Sequence, residues 1–147
     1  MDKRIILVVE DSPTDEALLL RALSKSGIVN PIVTVKDGLE AIQYLFAFGR
    51  YEFRNVDDLP AVVLIDLNLP KMGGLEVLGA IRADASLKSL IVVVLTSSRE
   101  ERDVIAAYGL NSNAYISKPV DMMQFFQVVQ DLDNFYFRVV TLPPKLA

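Results

Sequence analysis

The sequence predicts an α/β chain built on a doubly wound, five-stranded parallel sheet. Three observations carry this. Five short apolar runs alternate with five segments of helical periodicity. The runs are nearly continuous in apolar residues, where a sheet wetted on one face would alternate apolar with polar. Each run is followed by turn or capping residues that open the next helix.

The expected strands are residues 5–9, 31–35, 61–65, 90–95 and 114–116. After the first, Ser12 with Pro13 and Asp15 makes a capping start, Leu19, Leu20 and Leu23 supply a buried stripe, and Gly27 is the stop. Asp37 with Glu40, Ser98 with Glu101, and Asp121 with Gln124 repeat the three-residue capping spacing, with Gly49 and Gly109 as the matching stops. Residues 50–60 are charged, carry Tyr51 and Phe53, and are expected to be a surface loop. In the last helix Met122, Phe125, Val129, Leu132 and Tyr136 form the stripe expected to face the sheet, which leaves Phe126, Val128 and Phe135 outside it.

Composition bounds the function. A chain of 147 residues with 52% hydrophobic content suits one compact domain. No apolar run approaches the roughly 20 residues of a membrane helix, and Met1 to Arg4 with the short run behind it lacks the form of a signal peptide, so a cytoplasmic location is expected. With no cysteine and no histidine, thiolate nucleophiles, disulfides, the usual zinc sites and imidazole bases are excluded. Chemistry must therefore run on carboxylates, hydroxyls and lysine. A net charge of −4 without a basic cluster beyond Lys3 and Arg4 argues against nucleic acid as a partner.

Right-handed crossovers bring every strand's carboxyl end to one edge of a parallel sheet, where ligands bind at the point of strand-order reversal. That edge would carry Glu10 and Asp11, then Asp66, Thr96, and Lys118 before Pro119. Each acid taken alone could merely cap a helix or face solvent. Three together, with Lys118 as the nearby cation, would repel one another strongly unless a divalent ion neutralised them, and hard oxygen donors point to Mg²⁺.

These residues also carry a family resemblance. Leu7-Val8-Val9-Glu10-Asp11-Ser12, Leu64-Ile65-Asp66-Leu67-Asn68-Leu69-Pro70 with Gly73-Gly74, Leu95-Thr96-Ser97-Ser98 and Tyr115-Ile116-Ser117-Lys118-Pro119 resemble the receiver domains of two-component response regulators. The intervals of 30 residues from Asp66 to Thr96 and 22 from Thr96 to Lys118 fit as well. The resemblance implies a flavodoxin-like (β/α)5 fold with strand order 2-1-3-4-5, a phosphoacceptor at Asp66, and a Mg²⁺ site of Glu10, Asp11, Asp66 and the main-chain carbonyl of Asn68. It also implies phosphoryl contacts from Thr96 and Lys118, and a switch in which Tyr115 moves into space that Thr96 vacates. Glu10 departs from the family, where many members have aspartate, but keeps the charge. The implied partner is a sensor histidine kinase, and the chain would act as no enzyme beyond its own phosphorylation and dephosphorylation.

Two other functions compete. A haloacid-dehalogenase-type phosphohydrolase needs a second aspartate two residues after its nucleophile, and Asn68 stands there. A phosphorylation-independent adaptor would have no need of the complete set of site residues. With residues 1–135 assigned to the receiver domain, 136–147 form an apolar tail and expected dimerisation arm. The tail, Asn134-Phe135-Tyr136-Phe137-Arg138-Val139-Val140-Thr141-Leu142-Pro143-Pro144, resembles that of single-domain regulators paired with bacterial and cyanobacterial phytochrome kinases. Phe126, Phe135, Phe137 and Leu142 are the expected contacts of a homodimer built on the fourth helix, the fifth strand, the fifth helix and the tail; the competing expectation is that 137–142 folds back over its own domain.

Overall fold

In the computed structural model, which describes residues 4–132, five strands and five helices alternate. They are β1 (Ile6–Val9), α1 (Pro13–Lys25), β2 (Ile32–Val35), α2 (Gly38–Phe46), β3 (Val62–Asp66), α3 (Gly74–Ala83), β4 (Val92–Thr96), α4 (Arg99–Ala107), β5 (Ala114–Ser117) and α5 (Met122–Leu132). All four strand pairings are parallel, and the order is β2-β1-β3-β4-β5, as expected. The order reverses at β1, which pairs with β2 on one side and β3 on the other.

The continuous apolar strands are explained by burial on both faces. Leu7, Val9, Val63, Ile65, Val92 and Val94 point into one core, against Ala41, Tyr44 and Leu45 of α2, Val77, Leu78 and Ile81 of α3, and Ile105 of α4. Ile6, Val8, Leu64, Val93, Leu95 and Ile116 point into the other, against Leu19, Ala22 and Leu23 of α1 and Phe125 of α5. Successive residues of a strand serve opposite cores because side chains alternate faces.

Helix boundaries obey local chemistry, with three corrections. At α1 the Ser12 hydroxyl accepts from the Asp15 amide at 3.3 Å, and Gly27 takes the left-handed conformation, φ +77°, just beyond the helix. The first correction concerns Gly49: α2 ends earlier, at Phe46, with Ala47 itself left-handed at φ 55°, and Gly49 opens a 3-10 turn over Gly49–Tyr51. The second is at α5, where Asp121 accepts from the Met123 amide at 2.9 Å but Gln124 reaches back to the Ser117 amide at 3.0 Å, so the capping pair does not close on itself. The third concerns Val128, which packs against the second core together with Met122, Val129 and Leu132; only Phe126 of the described leftover residues is exposed. Phe135, Tyr136, Phe137 and Leu142 lie outside the described residues.

Residues 50–60 are tied down more firmly than a plain surface loop. The Tyr51 ring meets the buried Tyr44 edge-on at 5.0 Å, and its hydroxyl donates to Glu40 at 2.7 Å. Arg54 lies over the Tyr44 ring at 3.9 Å and donates to the carbonyls of Tyr44 and Asp58. At the site edge, Gly74 lets α3 begin directly against the end of β3, since a methyl group there would lie 2.4 Å from the Asp66 carbonyl oxygen.

Candidate functional site

The acidic residues are placed by strand ends. Glu10 comes directly after β1 and extends its pairing through an amide that donates to the Val35 carbonyl at 3.1 Å; its side chain turns inward and is 1% exposed. Asp66 is the last residue of β3, opposite Leu95 of β4, and is 3% exposed. Asp11 is exposed beside them, and carboxylate oxygens of Glu10, Asp11 and Asp66 all lie within 4.8 Å of one another. This cluster sits where the strand order reverses, the position expected for a ligand site.

Lys118 enters from the far side of the sheet. Its amide donates to the Thr96 carbonyl at 2.8 Å, beyond the ends of β4 and β5, and the Lys118-Pro119 bond is cis. Its ammonium lies 2.9 Å from Asp66 Oδ2, 2.9 Å from Asp15 Oδ2 and 3.4 Å from Glu10 Oε1. Burial would lower the lysine pKa, but hydrogen bonds to Asp66 and Asp15 and the charges of Asp66 and Glu10 outweigh it, so the group is held above its ordinary value and stays charged. Glu10 is pushed up as well, toward its neutral form: burial, then the charge of Asp66, raise it from 4.5 to about 7, against the Ser12 amide and Lys118.

Three carboxylates, those of Glu10, Asp15 and Asp66, therefore share one ammonium, with Asp11 a further acid beside Glu10 and Asp66. Glu10 Oε2 accepts from the Ser12 amide at 3.2 Å, while Oε1 has no hydrogen-bond donor, alone among the buried side-chain oxygens and nitrogens of the described residues. A buried carboxylate oxygen with no hydrogen bond, and only the Lys118 ammonium at 3.4 Å as counter-charge, fits a hard divalent cation, which Glu10, Asp11 and Asp66 could hold.

Thr96, Asn68 and Tyr115 complete the expected set. Thr96 ends β4 next to Asp66's strand and is buried. Asn68 donates its amide to Asp66 Oδ1 at 3.2 Å, while its side chain donates to Glu101 Oε2 at 2.8 Å. Tyr115 on β5 is half-buried against the first core, with the Arg102 guanidinium 4.9 Å above its ring. Two residues were missed as site residues. Asp15 and Glu101 both stand in capping patterns, which explained them fully at the level of sequence.

Comparison with known proteins agrees with this geometry. The family model described as the response regulator receiver domain matches residues 6–130. Response regulator Rcp1 of Synechocystis sp. (strain ATCC 27184 / PCC 6803 / Kazusa) is 41% identical over 140 residues, 95% of this chain and 93% of its own. The Mn(2+)-bound form of Rcp1 superposes with a TM-score of 0.74 at 41% identity, covering 95% of this chain and 99% of that one. The bacteriophytochrome response regulator AtBRR gives 0.81 at 48% identity, covering 92% and 96%. The phosphorylated cyanobacterial phytochrome response regulator RcpA gives 0.76 at 40% identity, covering 97% and 99%. With its sheet order, its acidic cluster and its lysine all in place, the chain belongs to the response regulator receiver domain family.

Proposed function

We propose that Asp66 is the phosphoacceptor of a Mg²⁺-dependent phosphorelay receiver, and the observation that carries this is the Lys118 ammonium 2.9 Å from Asp66 Oδ2 within the acidic trio. Glu10, Asp11, Asp66 and the Asn68 main-chain carbonyl would hold Mg²⁺, which when bound would neutralise charge on phosphoryl oxygens. An Asp66 carboxylate oxygen attacks the phosphorus of a phosphohistidine on a sensor kinase. The O–P bond forms as the P–N bond breaks, and the departing imidazole nitrogen keeps the bonding pair and takes up a proton from water. Lys118 remains protonated and donates to one phosphoryl oxygen, and Thr96 donates its hydroxyl to another. Tyr115 then moves into the space that Thr96 leaves. The chain's only chemistry is its own phosphorylation and dephosphorylation. Asn68 gives its side-chain amide to Glu101 and offers no carboxyl acid, which disfavours the phosphohydrolase alternative.

The partner we propose is a phytochrome-type sensor histidine kinase in the cytoplasm, an assignment supported by the phytochrome response regulators among the relatives. Among the described residues no helix is long and apolar enough to cross a membrane. We further propose a receiver domain over 1–135 and a dimerisation arm over 136–147, in a homodimer that uses α4, β5 and α5. Support comes from the exposed apolar side chains Val104 and Tyr108 at α4 and Met123 and Phe126 on α5. Phe135, Phe137 and Leu142 would complete that surface.

Incubated with acetyl phosphate and Mg²⁺, the chain should gain one phosphoryl group by mass and Asp66→Asn none; a labelled variant would move the acceptor elsewhere. The metal site can be read through pH. Glu10's folded pKa of about 7 exceeds its ordinary 4.5, so its contribution to stability is complete below pH 4.5 and is lost as pH rises through 7. Thermal melts should therefore show Mg²⁺ raising the melting temperature more at pH 8 than at pH 5.5, and Glu10→Gln should shrink the difference; equal gains at both pH values would speak against the site. Sedimentation should show a dimer for the full chain and a folded monomer for a version ending at Asp133, and a full-length monomer at tens of micromolar would reject the arm.

A further inference from the structure

We propose that Glu101 is a positioning residue for phosphorylation: its carboxylate occupies two hydrogen-bond donors on the rim of the acidic site, and it releases one of them, the Ser97 amide, when Asp66 is phosphorylated. The inference rests on Asp66 being the acceptor.

The geometry departs from ordinary capping. Ser98 caps α4 by accepting from the Glu101 amide at 3.4 Å, and a glutamate at that position normally returns to the cap residue's own amide. Glu101 reaches one residue further. Its Oε1 accepts from the Ser97 amide at 2.7 Å and its Oε2 from the Asn68 side chain at 2.8 Å. Ser97 directly succeeds Thr96 at the end of β4, and Asn68 lies two residues beyond Asp66, to which its own amide donates at 3.2 Å. The last main-chain bond between these strands runs from the Leu67 amide to the Leu95 carbonyl at 3.4 Å. Beyond it, Glu101 ties the two loops together from a position 33 residues along the chain from Asn68.

A phosphoryl group on Asp66 would bring close to two negative charges to this rim, with oxygens that compete for N–H donors. The Lys118 ammonium is already shared among Asp66, Asp15 and Glu10, so further donors must come from the adjoining main chain, and the Ser97 amide is the next one after Thr96. The resting carboxylate of Glu101 holds that amide with a charge-assisted hydrogen bond, which is stronger than a neutral one. What this contact contributes before transfer opposes phosphorylation at equilibrium, and it slows the reaction to the extent that the amide is given up in the transition state. The first turn of α4 thereby senses the state of Asp66 through one side chain.

Glu100 provides an internal control: it is exposed, sits in the same first turn and carries the same charge. The experiment compares the full-length wild type, Glu101→Gln, Glu101→Ala, Glu100→Gln and Asp66→Asn. It reads the initial rate of phosphorylation by acetyl phosphate at saturating Mg²⁺, with hydrogen exchange of the Ser97 amide before and after phosphorylation. Glu101→Gln should be phosphorylated about fivefold faster, the factor that corresponds to the difference of about 1 kcal/mol between a charge-assisted and a neutral hydrogen bond, and Glu101→Ala faster still. Glu100→Gln should match wild type. The Ser97 amide should exchange more readily in Glu101→Ala than in resting wild type. In wild type its exchange should change on phosphorylation. Unchanged or slower phosphorylation in both Glu101 variants, even with a lowered melting temperature, would reduce Glu101 to a helix cap and overturn the proposal. Should Glu101→Ala fail to fold, Glu101→Gln decides alone. Labelling of Asp66→Asn would overturn the acceptor instead, and so separates the two failures.

Discussion

The arrangement depends on one electrostatic constraint: Glu10 and Asp66 are buried side by side at the end of a sheet, and the ammonium of Lys118 is their counter-charge. Two like charges 4 Å apart at an effective dielectric of about 20 repel by about 4 kcal/mol, which is a large fraction of a small domain's stability. Lys118 offsets part of this, and the rise of Glu10 toward neutral pH records what remains uncompensated. The site is thus held short of cation charge, a condition that a divalent ion relieves. On the proposed function the same lysine, whose ammonium is already at the Asp66 oxygen, would hold a phosphoryl oxygen.

The fold makes that constraint tolerable. Because the strands are buried on both faces, the pairs β1·β3 and β3·β4 hold the backbones of Glu10, Asp66 and Thr96 in fixed register, and like charges cannot relax by moving apart. Gly74 allows α3 to start against the Asp66 carbonyl, which keeps the loop carrying Asn68 close to the site. From there Glu101 links the β3 and β4 ends to α4, whose outward face carries exposed Val104, with Tyr108 just past its end. The path from Asp66 to the surface is therefore short and made of named contacts.

Much of this was legible in the sequence for a physical reason. Residues that come after apolar strands in a parallel sheet have nowhere to go but the carboxyl edge, so Glu10, Asp11, Asp66, Thr96 and Lys118 could be placed by strand periodicity alone. Asp15 and Glu101 could not, because each satisfies a local capping pattern and its further partner depends on side-chain reach across tens of residues. Val128 was misplaced because α5 buries a wider stripe than a strict three-four spacing allows. Gly49 misled for a similar reason: Ala47 took the left-handed position, and the edge-on contact of Tyr44 and Tyr51 organised the segment after α2.

The most direct test of the account is the melting temperature of Lys118→Met at pH 8, with and without Mg²⁺. Without metal, removing the shared ammonium leaves the carboxylates of Glu10, Asp15 and Asp66 without their common counter-charge, and the variant should melt roughly 5–10 °C below wild type, the shift that about 2–3 kcal/mol produces in a domain of this size. Mg²⁺ should then raise its melting temperature by more than it raises that of wild type. A metal-free Lys118→Met protein as stable as wild type, with no larger response to Mg²⁺, would contradict the claim that Lys118 is the counter-charge that holds the site together.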